Sequence, residues 1–145
     1  MKTIHLVSVF AIAIAAAGCS KSTTGPSSPT AVVSVTYSPS PVPWTAGPGT
    51  SAACASNVNL WKFAYTFKES AGTAATITSV TPTVDGVVQS PVTLSVSVPA
   101  SGQAVVNAET CFTTSAQHTW SQVFTGTDAQ GRAISFNGSL TFAAK

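Results

Sequence analysis

The sequence predicts an all-β fold, a single antiparallel β-sandwich of about seven or eight strands. Ser and Thr supply 41 of the 145 residues, whereas charged residues make up 7% of the chain, against a usual share of about 25%. Hydroxyl groups must therefore cover most of the solvated surface. Thr, Val, Ile and Phe favour strands. Alternating apolar and polar residues recur between turn signals about every ten residues, and no segment after Cys19 has helical periodicity.

The first half of the predicted domain contains the clearest alternation. Val33, Val35 and Tyr37 alternate with hydroxyl residues and indicate a first strand. Residues 39–49 are too rich in proline for a central strand and predict an edge strand or a loop. The strongest period-two pattern follows, with large aromatic residues at every second position: Trp61, Phe63, Tyr65 and Phe67.

The middle of the chain predicts a hairpin. Ile77 to Val84 indicates a strand that Pro82 interrupts. Asp85-Gly86 is a typical two-residue hairpin turn, and Val87-Val88 begins the returning strand.

The second half of the domain completes the pattern. Four further runs are predicted as strands: Val92 to Val98, Gln103 to Ala108, His118 to Phe124, and Ile134 to Phe142. The loop at residues 126–131 contains glycine at both ends and suits a connection between antiparallel neighbours.

The N-terminus is typical of an export signal. Lys2 is followed by an uncharged apolar stretch from Ile4 to Ala17. A helix of this length spans only about 21 Å, which is short for a hydrocarbon core of about 30 Å. A charged start, a short apolar stretch and small residues predict a cleaved signal peptide over residues 1–18.

The residues Ala16-Ala17-Gly18-Cys19 resemble the cleavage region of bacterial lipoprotein precursors. This resemblance implies cleavage before Cys19, a diacylglyceryl group on its thiol and therefore a membrane partner. Ala16 departs from the larger aliphatic residue usual in that family, and an ordinary secretory cleavage after Ala17 remains the alternative. Ser20 is not the Asp that favours inner-membrane retention in the family. The expected location is therefore the cell envelope, anchored to the outer membrane.

Residues 19–30 predict the lipidated cysteine and a disordered spacer, because no large apolar side chain is present to offset the ordering entropy. Residues 31–145 form the predicted domain. Their strand number and patterning resemble immunoglobulin-like and fibronectin type III-like domains, although Trp61 follows Cys54 too closely for a true immunoglobulin signature. A fold of this kind implies no particular function.

Cys54 and Cys111 remain as a pair in an oxidising compartment and predict a disulfide. Each precedes a predicted strand. If these are the second and sixth strands, which run parallel in opposite sheets, both cysteines lie at the same end of the domain. The bridge would close a loop of about 57 residues and contribute roughly 4 kcal/mol. Two free thiols are the alternative.

The inventory of reactive side chains argues against catalysis. After cleavage, His118 is the one histidine, and only Asp85 or Asp128 could orient it as in a Ser-His-Asp triad. No Gly-x-Ser-x-Gly motif is present. The inventory also predicts no metal site and no cofactor. Without Lys2, five Lys and Arg oppose four Asp and Glu, so no basic stripe for nucleic acid is expected.

Trp44 is a candidate for ligand binding, because it lies among prolines outside the alternating pattern and could stack on a sugar or an apolar group. The alternative is that it plugs one end of the sandwich. The chain is accordingly expected to be a non-catalytic envelope module that binds an unknown protein, glycan or cell-wall component. A small hydrolase that uses His118, and an inhibitor or chaperone that binds by β-augmentation, are the alternatives.

Overall fold

This computed structural model describes residues 27–145, which contain nine β-strands. In chain order they are β1 (Val33–Ser38), β2 (Trp44–Ala46), β3 (Asn59–Glu69), β4 (Ala75–Val84), β5 (Val87–Val88), β6 (Val92–Val98), β7 (Gln103–Cys111), β8 (His118–Asp128) and β9 (Ala133–Phe142). Within these residues, no helix is long and apolar enough to cross a membrane. The predicted signal peptide, Cys19 and spacer residues 20–26 lie outside the described part.

The strands form two antiparallel sheets, which confirms the predicted β-sandwich. In sheet A, β3 pairs with β7 on one side and with β1 and β2 on the other. In sheet B, β4 and β8 are central, β9 is one edge, and β5 and β6 share the other. The strand number exceeds the prediction because β2 and β5 are short edge strands of three and two residues.

The core divides into two clusters along the sandwich. Alternate side chains of both sheets point inward, as period-two patterning requires. Phe67 and Phe124 centre the first cluster, and Trp61 and Phe142 centre the second. All four are fully buried, and each such aromatic contributes about 2 to 3 kcal/mol through burial of apolar surface.

The predicted hairpin at Asp85-Gly86 is confirmed. Both residues have positive φ, 48° and 83°, as a type I′ turn requires. The predicted interruption at Pro82 was wrong, because β4 runs unbroken from Ala75 to Val84. Pro82 lies where the partner of β4 changes from β6 to β5, and a missing N–H is tolerated at such a break in the ladder.

The proline-rich segment forms an edge, as predicted. Its strand β2 pairs only with β3. Just before β2, Val42 crosses to sheet B, where its N–H donates to the carbonyl of Thr141 at 2.8 Å and its carbonyl accepts the N–H of Ala143 at 2.8 Å. The segment therefore closes one side of the sandwich.

The strand directions define two ends of the domain. The entry end contains residues 28–32 and the β3–β4, β6–β7 and β8–β9 connections. The far end contains the loop at residues 47–58, the β4–β5 turn, the loop at residues 112–117 and the C-terminus. The chain therefore enters the domain at the end opposite to Cys54 and Cys111.

Arg132 holds the incoming chain at the entry end. Its guanidinium donates to the carbonyl of Ser28 at 2.9 Å and of Pro29 at 2.6 Å, and its Nε donates to the buried carboxylate of Asp128 at 2.7 Å. Burial raises the pKa of Asp128, but hydrogen bonds from Arg132 and Gln130 outweigh it and hold that pKa below its usual value. The sequence predicts a disordered spacer through residue 30, whereas ordered contacts begin at Ser28.

Glu69 holds the same end from inside the sandwich. Its side chain is fully buried, and its carboxylate accepts five backbone N–H groups, from Val32 (3.2 Å), Ala71 (2.6 Å), Gly72 (3.0 Å), Thr73 (3.2 Å) and Ser101 (2.8 Å). Burial raises the pKa of Glu69, but these hydrogen bonds together lower it below its usual value. One carboxylate thus joins the incoming chain to two turns.

Candidate functional site

The predicted disulfide joins Cys54 to Cys111 at the far end, with 5.7 Å between their Cα atoms. Its predicted position at one end of the domain is confirmed, because Cys54 precedes β3 of sheet A, Cys111 precedes β8 of sheet B, and both strands begin at the far end. Cys111 is also the last residue of β7, where it pairs with Leu60 of β3. The β3–β7 ladder continues past the predicted strand end at Ala108, so the bridge ties the loop before β3 to a neighbouring strand.

Glu109 fixes the loop that contains Cys54. Its Oε1 accepts the N–H of Ser51 at 2.5 Å, and hydrogen bonds from Ser51 and then Thr50 lower the pKa of Glu109. Gly49 packs against both groups, because a Cβ there would lie 2.5 Å from the Cβ of Cys54 and 2.8 Å from Oε1 of Glu109. A disulfide, a carboxylate and a glycine thus hold this loop in a compact conformation.

Trp44 lies beside this loop in the edge strand β2, opposite Trp61 of β3. Its ring is partly buried against the second core cluster. The indole Nε1 donates to Oδ1 of Asn59 at 3.2 Å, and Nζ of Lys145 lies 4.6 Å from the ring centroid. Trp44 therefore combines core packing with partial exposure, and its role in ligand binding stays a prediction.

His118 meets one of the two acids that the sequence analysis named. Its Nδ1 lies 2.6 Å from Oδ2 of Asp85, and its Nε2 lies 3.3 Å from Oγ1 of Thr114. Hydrogen bonds from His118 and then from the N–H of Thr119 lower the pKa of Asp85. Asp128 lies at the opposite end. An acid, an imidazole and a hydroxyl are thus in line, in the order that a hydrolytic triad uses.

The same residues also have structural contacts. The second oxygen of Asp85 accepts the N–H of Thr119 at 2.8 Å, which joins the β4–β5 turn to the start of β8. The imidazole lies 3.9 Å from the ring of Phe112 and packs on the edge of Trp61. With its side chain 13% exposed, His118 is one member of the aromatic packing at the far end.

A buried polar bridge separates the two core clusters, and the sequence analysis did not identify it. Gln122 is 2% exposed. Its Oε1 accepts the hydroxyl of Tyr37 at 2.8 Å, and its Nε2 donates to the hydroxyl of Tyr65 at 2.9 Å. Burial raises the pKa of Tyr37. A Cβ at Gly138 would lie 2.0 Å from the hydroxyl of Tyr37, so a larger residue would clash there. A glycine within a predicted strand was therefore the sequence signal for this close contact.

Two adjoining hollows open beside this bridge, the larger where β1 of sheet A lies next to β9 of sheet B and the smaller on the outer face of sheet B. The larger, of about 760 Å³, lies along β1, β8 and β9. The smaller, of about 370 Å³, extends toward the β4–β5 turn. They share three lining residues, Ser40, Ser121 and Ser139. Alternating hydroxyl residues along β8 and β9 were the sequence signal for this surface.

Metal binding was not expected, and no group of three or more His, Cys, Asp or Glu side chains that could hold a metal ion occurs among residues 27–145. The carboxylates described above are instead engaged by backbone N–H groups, by Arg132 or by His118.

Comparison with known proteins informs the fold. No protein-family model and no curated protein matches the chain. The X-ray structure of the Northeast Structural Genomics Consortium target SoR45 is similar, with a TM-score of 0.54 and 12% sequence identity, over 79% of this chain and 87% of that chain. At this identity the similarity shows the fold alone.

Proposed function

We propose that the protein is a non-catalytic binding or structural accessory module of the cell envelope, anchored by lipid on Cys19 in the outer membrane. The observation that carries the proposal is that the chain enters the domain at one end and the bridged loop lies at the other. The incoming chain is held at the entry end by Arg132, whereas the bridged loop and Trp44 lie at the far end.

The length of the spacer supports this orientation. Residues 20–27 separate Cys19 from the first held carbonyl at Ser28. Eight residues span at most about 29 Å when fully extended. A lipid on Cys19 would therefore keep the entry end toward the membrane and present the far end to the surroundings.

The contacts of His118 support a structural role rather than a catalytic one. Asp85 is committed to the N–H of Thr119 as well as to the imidazole. The imidazole is packed between Phe112 and Trp61. These contacts give both side chains a function in closing the far end of the sandwich.

A small hydrolase is the second candidate, favoured by the alignment of Asp85, His118 and Thr114. In that mechanism His118 would accept the proton of the Thr114 hydroxyl as it attacks a carbonyl carbon, and Asp85 would stabilise the imidazolium. The hydroxyl of Thr114 distinguishes the binding module from the hydrolase, because only the hydrolase would need it and it does not contribute to the core.

The anchoring is tested by intact mass of the protein purified from membranes. The mature chain should begin at Cys19 and carry the mass of two or three acyl chains, because one chain alone gives only marginal anchoring. Cys19→Ser should move the protein out of the membrane fraction, whereas Ser20→Ala, the matched control, should not. A soluble wild-type chain that begins at Gly18 would contradict the proposal.

A further inference from the structure

We propose that the outer face of sheet B binds a neutral glycan chain. This inference rests on the proposed function, because it names the ligand class of a binding module. The candidate surface comprises the outward side chains of β4, β8 and β9 and the two hollows that open over them.

The surface is a grid of hydroxyl and amide groups. Cross-strand pairing places Thr83, Ser121 and Ser139 in one row, and Thr119 beside Thr141 in the next. The outward positions of the three strands carry almost only small polar residues: Thr81, Thr83, Thr119, Ser121, Thr125, Thr127, Ser135, Asn137, Ser139 and Thr141. Val123, 45% exposed, is the apolar residue in their midst.

Charge distinguishes this face from the opposite one. The outer face of sheet A carries Lys62 and Lys68 on β3 and Glu109 on β7, with Lys62 directly opposite Glu109. Among the described residues, no Lys, Arg, Asp or Glu lies at an outward strand position of β4, β8 or β9, since Asp128 at the end of β8 is buried. A charged polymer would find no ionic partner on the grid.

The shape of the surface fits a chain that lies along it. The two hollows share Ser40, Ser121 and Ser139 and are therefore adjacent, so one extended ligand could lie across both. Ser40, in the connection between β1 and β2, forms a wall beside β9. The volumes of about 760 and 370 Å³ fall within the range of ligand-binding clefts.

The chemistry of the surface favours a glycan over a protein. Each Ser or Thr hydroxyl can both donate and accept a hydrogen bond, as each sugar hydroxyl can. Val123 and the backbone at Gly138 offer apolar contact to the C–H groups of a sugar ring. Protein interfaces are instead enriched in aromatic residues, Met and Arg at their centre, and this grid has none.

The expected affinity is weak for one domain, because no aromatic ring lies on the grid to stack on a sugar. Many copies tethered to one membrane would bind a long glycan together, and multivalency raises overall affinity by orders of magnitude without any new contact. The proposed anchor on Cys19 thus complements a weak single site.

The inference is tested by NMR titration of the mature lipidated protein in phosphocholine micelles with maltohexaose, cellohexaose and chitohexaose as probes. At least one neutral oligosaccharide should shift backbone amide signals of β8 and β9, including those of Ser121 and Ser139. Asn137→Lys should raise the dissociation constant about tenfold by placing charge and bulk in the groove. Asn107→Lys, an exposed position on the outer face of sheet A, is the matched control and should leave it unchanged.

Absence of any shift with all three probes at about 10 mM, a weak-binding limit well beyond typical specific affinities, would overturn the inference. Shifts confined to sheet A, or capture of a protein by the sheet B face, would overturn it equally. These outcomes are separate from the mass measurement on Cys19. A lipidated chain without glycan binding defeats this inference alone, and a chain without lipid defeats the anchoring proposal.

Discussion

The entry end and the far end of the sandwich are stabilised by different chemistry. At the entry end, the buried carboxylates of Glu69 and Asp128 accept backbone N–H groups and hold the incoming chain. At the far end, a disulfide and packed aromatic rings perform that role, and Trp44 and His118 remain partly accessible. The entry end is thus stabilised by buried charge, and the far end by a covalent bridge and aromatic packing.

Removal of the disulfide should strongly destabilise the far end. The double variant Cys54→Ala, Cys111→Ala opens a loop that spans 57 residues in sequence, and the chain-entropy relation gives a loss of about 4 kcal/mol in the free energy of unfolding. At roughly 4 °C per kcal/mol for a domain of this size, calorimetry should record a large decrease in the unfolding midpoint. Reduction of the wild-type protein should give the same decrease. An unchanged midpoint in both experiments would contradict the prediction.

Loss of the Glu69 carboxylate is the largest expected break of the entry end. In Glu69→Gln, one oxygen remains an acceptor, but the new NH₂ group faces N–H donors that have no other acceptor. Removing a charge from a buried network of this kind should lower the free energy of unfolding by about 3 kcal/mol, measured by urea titration. Glu109→Gln at the far end is the matched control, and its effect should be clearly smaller because that residue is partly exposed.

Glu69→Gln and the wild type should also respond differently to acid. The pKa of Glu69 is lower in the folded protein than its usual value of 4.5, so the unfolded chain binds protons first as the pH falls. Its stabilisation is therefore complete well above pH 4.5 and is lost as the pH falls from there through the folded pKa. Urea titrations between pH 6 and about pH 3 should show a shallower decrease for Glu69→Gln than for the wild type. Parallel curves would exclude Glu69 as a main source of acid sensitivity.

The sequence allowed the sheets to be predicted better than the ends. Alternation in residues such as Trp61 and Phe124 identifies inward faces, because a strand places every second side chain on one face. The acceptors of Glu69 come from turns distant in sequence, and no periodic pattern indicates that these turns converge on one carboxylate. The sequence could likewise name Asp85 as a possible partner of His118. The contact between His118 and the hydroxyl of Thr114 depends on the loop conformation and could not be predicted.

The disulfide illustrates both sides of this limit. Counting the cysteines outside the predicted lipidation site correctly paired Cys54 with Cys111. The strand β7 was predicted to end at Ala108 instead of Cys111, because strand boundaries follow from the ladder with β3 rather than from local sequence. The grid on sheet B was equally visible as alternating hydroxyls, but its groove requires Ser40 from another part of the chain.

The two tryptophans of the β2–β3 pair test how much of the far end is core. Trp61 is fully buried, so Trp61→Ala should lower the free energy of unfolding by about 3 to 5 kcal/mol. Trp44 is only partly buried and packs beside Lys145, so Trp44→Ala should have a smaller effect, about 1 to 2 kcal/mol. Thermal unfolding of both variants measures the difference. Equal losses would show that Trp44 is an end plug and would remove it as a candidate contact residue.

The smallest expected effect is also the one that distinguishes binding from catalysis. Thr114 is exposed, and Thr114→Val keeps the shape of its side chain while removing the hydroxyl that faces His118. We expect the free energy of unfolding to change by less than about 0.5 kcal/mol. His118→Gln, which breaks the bond to Asp85, should lower it by about 1 kcal/mol. Neither variant should differ from the wild type when hydrolysis of p-nitrophenyl acetate is measured, because all three should match the uncatalysed rate. If the wild type hydrolyses the ester above that rate and Thr114→Val abolishes the activity without loss of stability, then the acid, imidazole and hydroxyl at the far end form a catalytic triad, and the hydrolase replaces the binding module.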